Sequence, residues 1–425
     1  MKKSISSSII AALFCATPLV AFAEPVTSKF NLSIGGFVKL DYAHNSVNLG
    51  QSGGLTPASG AIPKSSSAAG QQEQSIFTAR QSRLWFKASG PQFMGAKTSS
   101  HVETDFYGDP AAAAESPQMR LRLAYGSLDW ENTQVIFGQY WDAFGPYLAS
   151  TVDFRSGAVT GAANNPRVPQ IRVTQKINLN SDNTLNLTLA VQDPNQIANN
   201  NQALTVTAAP GAVSTAAPTN YGDVVNTTGQ IMFSSKALGA APSYLGLAMK
   251  PLTLGVFGLY GNAKVSATDK KLDSYGAGAY VFVPVMKSSD GKNRAMTMSL
   301  EGQAYQAANM AFNQATAASV IGTATNPKSA KGYGIGAQAI FYPTQELGLT
   351  AGFGRRGAID YSDYTAKDFQ KSTTQYYANA SYDLNIAVRV MTEYQHMETQ
   401  YGNVTVNTSD KGTADIFRVA AFYFF

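Results

Sequence analysis

Apolar and polar side chains alternate with a period of two through most of this chain. They do so in segments of about 10 to 14 residues, the pattern of a strand with two different faces. The last segment is the plainest example. Asp415, Phe417, Val419, Ala421, Tyr423 and Phe425 fall on one face, with Ile416, Arg418, Ala420, Phe422 and Phe424 on the other. Strands are predicted at 30–43, 77–89, 96–107, 118–130, 133–142, 167–178, 184–193 and 226–236. They continue at 243–264, 272–284, 294–306, 331–342, 346–357, 373–383, 385–399 and 413–425, which makes sixteen. The 243–264 segment is long enough for two, but an even count leaves both ends of the chain on one rim.

The connections alternate as well. Short ones are expected at 90–96, 131–133, 179–183, 237–242, 285–293, 343–346 and Asp383-Leu384. Long ones, rich in Ala, Gly, Ser, Asn and Thr, are expected at 44–76, 108–117, 143–166, 194–225, 265–271, 307–330, 358–372 and 400–412. Short turns on one rim and long loops on the other are the asymmetry of outer-membrane barrels. Lipid offers no hydrogen bonds, so a chain of strands crosses it only as a closed cylinder with every edge paired. The predicted fold is all-β: a transmembrane antiparallel barrel of 16 strands with short periplasmic turns and long extracellular loops.

Composition narrows the classes. Charged residues are 14% of the 425, well below an ordinary soluble protein, and aromatic residues are 11%. That aromatic content excludes disorder, and the richness in Gly and β-formers excludes a coiled coil. One cysteine excludes a disulfide framework, and three histidines (His44, His101, His396) leave little for a metal site. No cofactor is expected. Lys2 and Lys3, the apolar stretch Ile9–Phe22 and Ala21-Phe22-Ala23 read as a secretory signal cut before Glu24. Residues 1–23 are therefore expected to be removed and 24–425 to form one barrel domain. The formal net charge of +5, two of it from Lys2 and Lys3, is too mild to argue for a nucleic-acid partner.

Parity then assigns faces. Leu84 and Phe86 are expected outward, with Arg83, Trp85 and Lys87 inward. Leu121, Leu123 and Tyr125 are expected outward with Arg120 and Arg122 inward, and Ile171 and Val173 outward with Arg172 inward. Arg389, Glu393 and Arg418 join the inner face, as do Glu103 and Asp105 beside His101. Cations on one wall facing these carboxylates on another would set up a transverse field across the bore. Arg80 has the opposite parity to Arg83, which implies a bulge or a subunit contact. The connection 143–166 is bracketed by Pro146, Pro166 and Pro169, which cannot donate to a ladder and so mark a loop leaving the wall. Its Asp153 and Arg155 are candidates for the narrowest point.

Several stretches carry a family resemblance: SIGGFVKLDYAHNS (33–46), ARQSRLWFKASG (79–90), VETDFYGDP (102–110), RLRLAYGSLDW (120–130), FGQYWDAFGP (137–146), TVDFRSG (151–157) and RVPQIRVTQ (167–175). In this order they resemble the DcaP-like trimeric outer-membrane porins, over the N-terminal two-fifths of the chain. Some members carry a helical coiled-coil extension before the barrel. Here only Glu24–Lys29 are expected between the cleavage point and the first strand. The resemblance implies a homotrimer in the lipid of the bacterial outer membrane, passing small anionic solutes such as dicarboxylates. Pore-lining and selectivity residues are then Arg83, Lys87, Arg120, Arg122, Arg172, Glu103, Asp105, Asp153 and Arg155. The alternatives are a non-conducting structural or adhesive barrel and, less well supported, an outer-membrane enzyme. For the enzyme, His101 beside Ser99 and Ser100 is the one faint constellation, so none is expected.

Overall fold

In the computed structural model, residues 30–50, 61–108, 117–153, 160–163, 166–193, 224–265, 270–322, 326–364 and 366–425 are described. The expected signal segment and Arg155 lie outside them. Sixteen staves form one continuous antiparallel sheet that closes on itself. They are β1 (Asn31–Asn45), β2 in two pieces (β2a, Gln74–Thr78; β2b, Arg83–Phe93), β3 (Ala96–Asp105), β4 (Arg120–Asp129) and β5 (Thr133–Trp141). Next come β6 (Arg167–Asn178), β7 (Asn183–Gln192), β8 (Asn226–Pro242), β9 (Met249–Val265), β10 (Lys270–Met286) and β11 (Thr297–Ala308). The last five are β12 (Lys331–Tyr342), β13 (Leu347–Ala358), β14 (Phe369–Asp383), β15 (Val388–Gly402) and β16 (Lys411–Phe424). Each stave pairs with its neighbour in sequence. The ring is sealed where β1 meets β16, from Phe37 opposite Phe424 to Asn45 opposite Ile416. A small hairpin, Val320–Gly322 with Pro327–Ser329, sits in the connection between β11 and β12.

Alternation sorts the side chains as the sequence pattern requires. Leu32, Ile34, Val38 and Leu40 of β1 and Phe417, Val419 and Tyr423 of β16 face outward and are exposed. Their neighbours Lys39, Asp41 and Arg418 face the bore and are buried there. An exposed apolar band is costly in water and favourable in hydrocarbon, so this face fits a bilayer. Among the described residues no helix is long and apolar enough to cross a membrane; the crossing is made by strands.

Three local features depart from plain alternation. Thr78 opposes Asp41 and Arg83 opposes Phe37, so four residues of β2 (79–82) face three of β1. That extra residue is the bulge implied by the parity of Arg80, whose side chain is buried. A second bulge breaks the register between β3 and β4: Glu103 opposes Leu123 and Thr104 opposes Leu121. It turns Leu123 and Tyr125 inward, against expectation. Leu123 is buried and Tyr125 stacks on His101 at 5.5 Å. Third, the turn expected at 237–242 is strand. β8 and β9 run 17 residues each, and their connection is Ser243–Ala248. Gly239, with φ +74°, and a register shift at Pro251/Leu252 bend this extension.

At the long-loop rim, residues 61–67 are tied down over β15 and β16. Ile62 is buried with Val47, Met397, Ala414 and Ile416. Its N–H donates to Thr399 Oγ1 at 2.9 Å and its carbonyl accepts from the Tyr401 hydroxyl at 2.5 Å. Lys64 reaches Asp368 Oδ1 at 2.5 Å and Thr408 Oγ1 at 2.8 Å.

Candidate functional site: the pore constriction

The connection leaving β5 turns into the bore. It is described at 142–153, 160–163 and 166, and its stem is closed by Asp142 N–H donating to the Pro166 carbonyl at 2.8 Å. A segment inside a barrel cannot extend the wall's ladder, so its backbone groups need side-chain partners. Inward amides supply them. Gln303 accepts from Tyr147 N–H at 3.2 Å and donates to the Ala162 carbonyl at 2.5 Å. Gln338 accepts from Ser150 N–H at 2.8 Å and donates to the Leu148 carbonyl at 2.9 Å. Thr160 N–H donates to Gln375 Oε1 at 2.9 Å, and Asn379 donates to the Ser150 carbonyl at 2.6 Å. An amide carries both a donor and an acceptor, which is why one Gln can clamp two points of a passing chain.

Aromatic packing completes the seat. Phe144 meets Phe257 at 5.0 Å and Tyr305 at 5.6 Å, edge to face. The Tyr147 hydroxyl lies 3.2 Å from that of Tyr377. Burial raises the pKa of the Tyr147 phenol, so it stays a neutral hydrogen-bonding group. Gly276 and Gly336 matter here, since a Cβ on either would strike the Phe144 or Tyr147 ring. Further along, Val152 N–H donates to Glu393 at 2.9 Å and its carbonyl accepts from Lys39 at 2.6 Å. Asp153 is buried and accepts from Gln81 Nε2 at 2.5 Å. Gln230 of β8 donates to the Ala143 carbonyl, so the inserted segment is pinned to the inner faces of β8, β11, β12, β14, β15 and β1.

The wall it leaves uncovered, β2b to β6, carries the guanidinium groups. Arg120 grips Asp105 through Nε at 3.0 Å and Nη2 at 2.6 Å. Arg122 contacts Glu103 at 2.5 Å and Asp105 at 2.8 Å. Each of five arginines also lies on an aromatic ring. Arg83 is 5.4 Å from the Phe37 centroid, Arg120 5.4 Å from Tyr107 and Arg122 5.6 Å from Trp141. Arg167 is 5.2 Å from Trp141, and Arg172 is 5.1 Å from Tyr140. Stacking fixes a guanidinium plane while leaving its edge donors available. Arg172 spends one donor on the Trp141 carbonyl at 3.0 Å, while its Nε and Arg167 Nη1 meet no protein acceptor.

Of the residues singled out from the sequence, Arg83, Arg120, Arg122, Arg172, Glu103 and Asp105 come together on this one wall. Lys87 lies nearer the short-turn rim, 5.9 Å from the Trp85 centroid, and Asp153 sits on the inserted segment against Gln81 of the β2 bulge. The expected transverse arrangement is corrected. Glu103 and Asp105 belong to β3, adjacent to β4, and pair directly with the cations instead of facing them across the bore. On the adjoining staves β1 and β14 to β16 the charges are closed pairs: Lys39–Asp41 at 2.6 Å, Arg418–Glu393 at 3.0 Å and Arg389–Asp383 at 2.5 Å. Sequence reasoning missed Arg167. Its parity is opposite to that of Arg172, and it reaches the site because it stands where β6 meets the inserted segment. The one signal available was its place directly after Pro166.

His101 faces the bore against Tyr125. Ser99 shares its face by parity, while Ser100 lies on the outer one.

No protein-family model matches the sequence, and no curated protein is similar to it in sequence. Solved structures are. The DcaP outer-membrane channel of Acinetobacter baumannii superposes with a TM-score of 0.68 at 15% identity, over 95% of this chain and 99% of that one. The fold is that of the outer-membrane porins. An anion-selective porin from Comamonas acidovorans matches with a TM-score of 0.54 at 12% identity, over 93% of this chain and 100% of that one. OprB of Pseudomonas putida matches with a TM-score of 0.54 at 10% identity, over 93% and 94%. The resemblance expected from the N-terminal motifs is therefore met by the whole porin architecture, to which the C-terminal half contributes strands without recognisable motifs.

Proposed function

We propose that this porin fold serves as a passive diffusion channel of the bacterial outer membrane for small hydrophilic solutes, with a preference for anions. The observation that carries the reading is the wall of Arg83, Arg120, Arg122, Arg167 and Arg172. Among the described residues Arg120 and Arg122 are paired with Asp105 and Glu103, while Arg167 Nη1 and Arg172 Nε meet no protein acceptor. The five face a bore narrowed by a segment whose contacts are mostly backbone and amide. A guanidinium keeps its charge at any physiological pH and accepts a carboxylate through two parallel hydrogen bonds. Low-dielectric walls focus such charges. A unit charge pair about 4 Å apart is worth roughly 1–4 kcal/mol between bulk water and protein-surface permittivity. That biases which ions enter yet lets them leave, as conduction requires. Dicarboxylates suit a row of arginines at two points. That a neighbour of this fold is an anion-selective porin supports the reading.

The same reading includes a homotrimer, supported by a trimeric form among the structures of this fold, and removal of residues 1–23 on export. It assigns no enzymatic activity. A closed, non-conducting barrel is the second reading, favoured by the amount of chain folded into the bore.

The test is planar-bilayer recording of the purified protein under a salt gradient. The expected result is discrete channels with a reversal potential on the anion side, moving toward zero in Arg83→Ala, Arg122→Ala and Arg167→Ala. Channels whose selectivity is cationic, or indifferent to all three changes, would refute the anion assignment. Absence of any channel would favour the closed barrel.

A further inference from the structure

The short-turn rim has one member unlike the rest. Several of the others are tight: Met94-Gly95 joins β2b to β3, and three residues join β4 to β5. β8 and β9 instead overrun β7, which opposes β8 only as far as Ser235. The overrun bends inward and crosses to the far side of the ring. Along the way the Ala240 carbonyl accepts from Ser288 N–H at 2.8 Å and the Pro242 carbonyl from Ser299 Oγ at 2.7 Å. At the tip, Leu245 is buried among Phe37, Val152, Met391, Ala420 and Phe422, inward residues of β1, β15 and β16 together with one residue of the inserted segment. Its N–H donates to Ser150 Oγ at 3.0 Å, and its carbonyl accepts from Arg389 Nη1 at 3.1 Å.

The tip is held in a backbone form that leucine avoids. Leu245 has φ 50° and ψ 23°, the left-handed region, and the following Gly246 has φ +68° with no room for a Cβ beside the Tyr342 hydroxyl. Strain of this kind persists only where surroundings impose it. Here a latch imposes it: Asp383 holds Arg389 at 2.5 Å and Arg294 at 2.8 Å, and Arg389 holds the tip.

Tyr244, the residue before Leu245, is thereby carried into the bore. It packs against the cluster that holds Phe37 and Leu245, as Trp85 does, and Arg83 lies 5.4 Å from the Phe37 centroid.

We infer that the β8–β9 turn is a second constriction on the short-turn side, with Tyr244 as the size-determining residue. A solute that clears the arginine wall must pass the Tyr244 ring before it leaves. The turn also braces the inserted segment at Ser150, so the two narrowings form one unit. This rests on the channel reading above and adds to it a limit set by ring volume, not by charge.

Three variants recorded in planar bilayers test it: Tyr244→Ala, Tyr244→Phe, and a shortened hairpin with Asn-Gly in place of Ser243–Ala248. Heat-modifiable gel migration checks that each is folded. Tyr244→Ala should raise single-channel conductance roughly 1.5- to 2-fold and admit larger neutral sugars, because a pore's narrowest ring sets its resistance. Its reversal potential should stay put, since the arginines are untouched. Tyr244→Phe should conduct like the parent. If the parent conducts and both Tyr244→Ala and the shortened hairpin, folded, conduct identically to it, the inference is overturned while the channel reading stands. If the parent is silent and the shortened hairpin conducts, the turn is the obstruction. Silence in all of them removes the channel reading and this inference together.

Discussion

The two halves of the inner wall are built from the same alternating strands and do opposite things with them. From β8 round to β1, inward polar groups are spent on protein. Gln303, Gln338, Gln375 and Asn379 hold the backbone of the inserted segment, and Glu393 is shared between Arg418 and Val152 N–H. From β2b to β6, the arginines rest on aromatic rings, Arg120 and Arg122 are also paired with carboxylates, and Arg167 and Arg172 keep donors that meet no protein acceptor. The contrast separates scaffold from function. A lumen-facing charge whose donors all close on neighbours stabilises, and one with a donor left over is available to a solute.

The largest effect should come from breaking the closed side. Glu393→Ala leaves the buried Arg418 guanidinium and Val152 N–H without their carboxylate, and loss of one partner of a buried pair costs about 3–5 kcal/mol. Urea or thermal unfolding in detergent should show a lower midpoint, with Glu393→Gln far milder. Next is Gln338→Ala, which strips partners from Ser150 N–H and the Leu148 carbonyl, a penalty of about 1–3 kcal/mol per group left buried and unpaired. The inserted segment should loosen, seen as noisier open-channel current. On the other wall, Arg167→Gln should leave the unfolding midpoint nearly unchanged yet cut anion selectivity about as much as Arg122→Ala. A destabilisation as large as that of Glu393→Ala would erase the distinction between the walls.

The smallest effect concerns the long-loop staple. Lys64 and the Thr405 N–H and hydroxyl hold the Asp368 carboxyl down to about 2 from an ordinary 3.8. A depressed acid contributes above its unfolded value and loses that contribution as pH falls through the folded one. Protease resistance of the 359–368 connection should therefore persist at pH 5, fade between about 3.8 and about 2, and be slightly lower in Asp368→Asn above that window but equal to the parent below it.

How far the sequence carried this can be seen residue by residue. The outward face of β16 was readable because a period of two needs only one strand to be recognised, and lipid tolerates no error in it. The bulge beside Arg80 was visible as a broken parity. The bulge after Arg122 was not: Leu123 and Tyr125 are apolar enough for either face, so nothing in their chemistry betrays the slip.

Local alternation in the sequence, together with the impossibility of an unpaired edge in hydrocarbon, was enough to establish a closed sixteen-stave barrel and an arginine-rich inner face. Which carboxylate meets which arginine, how Arg167 joins the wall, and how the Ser243–Ala248 turn reaches Ser150 were decided by the tertiary structure. Those contacts link residues roughly 15 to 150 apart in the chain, and only ring closure and the inward fold of two connections bring them within reach.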